Sequence, residues 1–79
     1  MGQPRAKPKY LAAKLLAIRQ GRKLSQPKMA RLLKIRDSRV SQYETGAREP
    51  NLMVLLAYAR AGQVTVEQLI DDDLDLYDF

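Results

Sequence analysis

Neither cysteine nor histidine occurs anywhere in this chain of 79 residues. That double absence is the tightest constraint on what it can fold into. Domains of this length sit near the lower limit of what one apolar core stabilises, and many lean on disulfides or a structural metal. Here there is no thiol and no imidazole, which excludes disulfides, zinc-finger scaffolds and histidine-based catalysis. Carboxylates alone remain as metal ligands, and no cofactor is expected. The fold must rest on packed side chains in a single domain. Those are Leu, Ile, Val, Ala and Met with few aromatics, which suits helix packed on helix. The expectation is all-α.

Apolar spacing and capping signals divide the chain into five helices. Leu11, Leu15 and Ile18 recur at helical intervals, with Ala12 and Leu16 widening the stripe, and predict a first helix over residues 9–22. Lys14 and Arg22 fall off that stripe, and Gly21 marks the stop. Ser25 is suited to cap a second helix over 25–34, with Pro27 in its first turn and Met29, Ala30, Leu32 and Leu33 along it. A third helix over 37–46 has Val40 and Tyr43 as its inward pair and ends at Gly46. Asn51 caps a fourth, with Leu52, Leu55, Leu56 and Ala59 as its apolar stripe and Gly62 closing it. Thr65 to Gln68 fits a capping box that opens a short fifth helix carrying Leu69 and Ile70.

Charge is split along the chain. Residues 1–48 hold thirteen of the fourteen Lys and Arg and only Asp37 and Glu44 as acids, a balance of about +11. Residues 49–79 come to about −6, with Arg60 as their one base. This asymmetry points to a polyanion-binding half followed by an acidic tail. Three regions are expected: a basic arm over 1–8, a helical domain over 9–70 and an acidic tail over 71–79. The arm reads either as an inert terminus or as a phosphate or minor-groove contact. The tail reads as inert, as folding back on the basic half, or as docking Leu74, Leu76, Tyr77 and Phe79 on a protein partner or a second copy. The apolar runs are too short to cross a bilayer. Residues 1–9 lack the apolar stretch of a secretory signal, so the expected place is the cytoplasm, with no membrane partner.

The second and third helices, joined by a tight turn, have the shape of a helix-turn-helix. A helix that enters a major groove roughly 12 Å wide must be polar on one face and apolar on the other. Val40 and Tyr43 serve the inner face; Asp37, Ser38, Arg39 and Gln42 serve the outer one. Glutamine suits adenine, and arginine suits guanine or phosphate.

The chain also resembles the lambda-repressor-like family (Cro- and Xre-type helix-turn-helix domains) over about residues 11–70. The resemblance is carried by Leu24-Ser25-Gln26, Met29-Ala30, Val40 through Gly46, Arg48-Glu49-Pro50, Leu55-Leu56-Ala57 and Val64 through Ile70. It implies five helices, with the helix from about residue 37 as the reader of duplex DNA. It implies a phosphate clamp at Ser25 and Gln26, and a base-reading set of Asp37, Ser38 and Gln42 flanked by Arg36, Arg39 and Ser41. It also implies a structural ion pair between Arg19 and Glu44. Lys28, Lys34 and Arg48 are further backbone-contact candidates, Arg48 first among them because it follows the recognition helix. Two positions depart from the family pattern. Lys34 stands at a turn position usually held by Gly, and Arg36 stands where Ser or Thr usually caps, so Asp37 is the candidate replacement cap.

The function these features imply is a sequence-specific transcriptional regulator of the repressor type, bound to double-stranded DNA, with a homodimer on two half-sites. The competing reading is an antitoxin or adaptor whose main partner is another protein. An enzyme is not expected. There is no glycine-rich phosphate loop, and Asp71, Asp72 and Asp73 are consecutive rather than paired across a cleft.

Overall fold

The computed structural model describes residues 8–76. The arm before Pro8 and the end of the tail, with Tyr77 and Phe79, lie outside the described residues. The architecture is all-α: α1 (Leu11–Gly21), α2 (Gln26–Leu33), α3 (Asp37–Thr45), α4 (Leu52–Gly62) and α5 (Val66–Ile70). None of these helices is long and apolar enough to cross a membrane.

The core is built where the apolar stripes converge. Leu11, Leu15 and Ile18 of α1 pack with Met29, Ala30 and Leu33 of α2, Val40 and Tyr43 of α3, Leu55, Tyr58 and Ala59 of α4, and Leu69 of α5. On α4 the buried side runs through Val54, Leu55, Tyr58 and Ala59 and leaves Leu52 outside. The buried side is thus rotated from the expected stripe, with Tyr58, which the aliphatic spacing did not include, facing inward. Leu32 and Ile70, read from sequence as apolar positions of their helices, are likewise exposed. Each lies next to a residue, Leu33 or Leu69, that takes the inward place. Ile18 approaches α4 so closely that a Cβ on Gly62 would lie 2.9 Å from its Cγ1. Gly62 therefore serves packing between α1 and α4.

Three helices end in the same way. Lys23, Lys34 and Gln63 adopt left-handed backbone, with φ of 57°, 60° and 57°. In each case the next residue donates its N–H five residues back: Leu24 to Arg19, Ile35 to Ala30 and Val64 to Ala59. These are Schellman turns. Gly21 and Gly62 are the last helical residues, as expected, but the left-handed turn falls one or two residues later, at residues with side chains. Neither glycine has the positive φ that a left-handed cap requires.

Lys14 also departs from expectation. It is buried, and its ammonium donates to the carbonyls of Gln68 (2.7 Å), Leu74 (2.8 Å) and Asp71 (3.0 Å). The sequence places a charge off the apolar stripe; the fold brings the carbonyl end of α5 over it, so hydrogen bonds replace water. Reciprocally, the Asp72 carboxylate accepts from the backbone N–H groups of Lys9 (2.9 Å) and Tyr10 (3.2 Å) at the start of α1. Tyr10 makes no side-chain cap of its own. Gln68 Nε2 holds the carbonyls of Asp75 and Leu76, and Leu76 packs on the core. Residues 71–76 are therefore a strap fastened across α1 and α5.

Candidate nucleic-acid interface

The start of α2 is preset for an anion. Ser25 has extended backbone, and its hydroxyl accepts from the Lys28 N–H at 3.2 Å. Met29 N–H bonds the Ser25 carbonyl, and Pro27 has no N–H. The Gln26 N–H is the donor left over in that first turn, at the positive end of the helix dipole.

The Gln26 side chain is half-buried and tethered, with Nε2 3.3 Å from Glu44 Oε1. Glu44, at the end of α3, also receives Arg19 Nε from α1 at 2.8 and 3.0 Å. Arg19 Nη1 donates in turn to the Leu24 carbonyl at 2.9 Å. The pair is enclosed, since the Glu44 side chain is 3% exposed. Its hydrogen bond and charge hold the Arg19 pKa above the ordinary arginine value. Behind it lies the fully buried Tyr58, whose hydroxyl has no hydrogen-bond partner at contact distance. Burial, and then the Glu44 charge, push the Tyr58 pKa up. One carboxylate thus joins the ends of three helices and sets where Gln26 stands.

The turn between α2 and α3 is short because Lys34 takes the left-handed conformation at φ 60°, ψ 45°. One extended residue, Arg36, then leads into the helix as its N-cap and makes no side-chain cap bond. Asp37 does not replace the cap as the sequence suggested. It is already the first helical residue, past the extended position that a cap requires. Its charge lies in the first turn of α3, where the helix dipole favours it.

Along α3, Val40, Tyr43 and Glu44 are buried, Asp37 and Ser38 are exposed, and Arg39, Ser41 and Gln42 are half-buried. The Oε1 of Gln42 is buried without a hydrogen-bond partner. Gly46 takes φ 81° and turns the chain, and the Arg48 N–H returns to the Gln42 carbonyl at 3.2 Å. This return brings Arg48 beside Arg36 and Arg39. The three arginines line one open groove over Ile35, Tyr43 and Val54, with Glu49 and Asn51 at its side. Lys28 and Lys34 are exposed on α2 and the turn. Glu49 and Asn51 were not among the DNA-contact candidates read from sequence, where Asn51 was the expected cap of α4 and Glu49 only carried the family resemblance. Only the folded-back loop carries them to the groove.

A short helix held on α1 and α2, with its polar side open and arginines converging beside it, defines a helix-turn-helix domain. The chain belongs to the Helix-turn-helix family, whose profile matches residues 15–69. Among solved structures it is similar to the P22 c2 repressor in complex with a synthetic operator. That likeness has 27% identity and TM-score 0.73, covering 80% of this chain and 96% of that one. The solution structure of the P22 c2 repressor DNA-binding domain is similar at 25% identity and TM-score 0.74, covering 92% and 96%. A hypothetical transcription factor from Neisseria, NHTF, shares the fold at 24% identity and TM-score 0.69, over 87% and 86%. No curated protein sequence matches this chain.

Proposed function

We propose that this chain is a transcriptional regulator that binds duplex DNA sequence-specifically and represses by occupying a promoter, with α3 in the major groove. The observation that carries the reading is the convergence of Arg36, Arg39 and Arg48 beside the open polar side of α3. The similar P22 c2 repressor, solved with its operator, supports it.

The residues divide by chemistry. Ser25 and Gln26, with Lys28, Lys34 and Arg48, contact the phosphate backbone and set register. Arg36 and Arg39 position by phosphate, as at least half of protein–DNA hydrogen bonds do. Asp37, Ser38, Ser41 and Gln42 face base edges. For Gln42 to pair with adenine through both amide atoms, its Oε1 must turn outward. That oxygen has no partner to give up. One nine-residue helix reads few base pairs, so two copies on half-sites about one helical turn apart supply useful affinity.

Binding selection from a random duplex library, followed by titration at two salt concentrations, tests this. The expected result is a recovered two-part site and a steep fall in affinity with salt. Gln42→Ala shifts base preference, whereas Arg48→Ala weakens all sequences alike and flattens the salt slope by about one unit. Weak binding without salt dependence would instead favour a protein-directed adaptor.

A further inference from the structure

The strap reaches the interface through the start of α1. Lys9, just before that helix, is exposed, and its ammonium has no ion-pair partner among the described residues. It lines an open groove with Thr45, Gly46, Arg48 and Glu49, which end α3 and lead out of it. The two walls are close, since a Cβ on Gly46 would stand 3.8 Å from the Ala12 Cβ of α1. Arg48 also lines the groove that holds Arg36 and Arg39. The row of cations beside α3 therefore continues past Arg48 to Lys9.

The backbone of Lys9 is held from the far end of the chain. Both carboxylate oxygens of Asp72 are engaged, Oδ2 by the Lys9 N–H at 2.9 Å and Oδ1 by the Tyr10 N–H at 3.2 Å. Neither pairs with the Lys9 ammonium. Asp72 is itself fixed, because the carbonyls of Asp71 and Leu74 on either side of it accept from buried Lys14. A carboxylate spent on backbone amides thus places a lysine without neutralising it.

We propose that Lys9 is a further phosphate contact of the DNA interface and that Asp72 is its positioning residue. This inference rests on the DNA-binding reading. The ligand is the phosphodiester backbone of the duplex, to whose oxygens an ammonium and a guanidinium both donate. Two cations face it across the groove against the single acid, Glu49. Holding the Lys9 backbone before DNA arrives removes part of the ordering cost of binding. The acidic strap therefore raises DNA affinity, the opposite of what its charge alone would do.

The test titrates wild type, Lys9→Gln, Asp72→Asn and the double variant onto a mixed-sequence duplex over a series of salt concentrations. Lys14 and Gln68 still fasten the strap in all four proteins, and amide spectra verify the fold. Lys9→Gln is expected to flatten the salt slope by about 0.9. Asp72→Asn keeps both cations of the groove but weakens binding about fivefold, the factor that ordering one backbone residue implies. Loss of a carboxylate would by charge alone tighten binding to a polyanion, so a weakening reports position. In the Lys9→Gln background the same substitution no longer weakens binding. The inference alone is overturned by an unchanged slope for Lys9→Gln, by Asp72→Asn binding as tightly as wild type or tighter, or by an equal loss in both backgrounds. A wild type that binds the duplex weakly and without salt dependence overturns the DNA-binding reading and this inference together.

Discussion

The Lys14 ammonium lies 2.7 Å from the Gln68 carbonyl and bonds two further carbonyls of the strap, so one buried charge of α1 closes the end of α5. Lys14→Met removes the donor and leaves three acceptors competing for water at a covered site. Hydrogen bonds to charged groups contribute roughly 1.5–3 kcal/mol each in favourable cases, and an orphaned buried acceptor adds to the loss. Urea unfolding of Lys14→Met is expected to show a loss of about 2–4 kcal/mol. A stability equal to wild type would mean that the strap does not depend on this ammonium.

Arg19 and Glu44 form an enclosed pair, and breaking one side leaves the other charge uncompensated. Arg19→Met and Glu44→Leu are each expected to lose about 3–5 kcal/mol, whereas the double variant recovers much of that. A double-mutant cycle by denaturant unfolding measures the coupling. Additive losses would contradict a mutual dependence.

Lys34 holds a left-handed conformation at φ 60°. Lys34→Gly relieves the steric penalty of the side chain and stabilises the fold by roughly 0.5–1 kcal/mol, after allowance for the entropy that glycine loses on folding. With Lys34 in the proposed phosphate contact, the same variant is expected to bind DNA more weakly, with a salt slope shallower by about 0.9. Thermal unfolding and a salt titration on the same samples therefore move in opposite directions.

Asp72 is held below the ordinary carboxylate pKa, first by the Lys9 N–H and then by the Tyr10 N–H, with Lys14 and Lys9 charges adding to it. A depressed folded pKa means that the ionised cap stabilises the fold above the unfolded value, near 4, and that this contribution fades as pH falls through the folded value. The melting temperature of wild type is expected to exceed that of Asp72→Asn at neutral pH, and the two curves to converge below about pH 4. Parallel curves across that range would show that the carboxylate charge does not stabilise the start of α1.

Much of the helical frame was legible without coordinates. Ser25, Asn51 and the Thr65–Gln68 box act at short range, through one side chain and the amides of the next turn, so each announces its helix locally. Leu11, Leu15, Ile18, Met29, Val40 and Leu69 repeat at the helical period and are all buried. The helix ends were legible to within a residue, but not the residues that make the left-handed turns. A Schellman turn depends on backbone bonds that Lys23, Lys34 and Gln63 make as well as glycine does, at some strain.

The double absence of cysteine and histidine, with this apolar spacing, determined by sequence alone that the chain would be a small all-helical domain with a basic first half. Tertiary structure decided everything that depends on residues far apart in the chain. Lys14 became structural because the strap sixty residues on supplied its carbonyls. Gln26 was placed by Glu44, eighteen residues on. Leu52 was left outside because α4 turns its Val54, Leu55, Tyr58 and Ala59 face to the core. Local propensity acts within a turn or two, whereas these outcomes are set by which buried polar groups find partners and which side chains fill the core first.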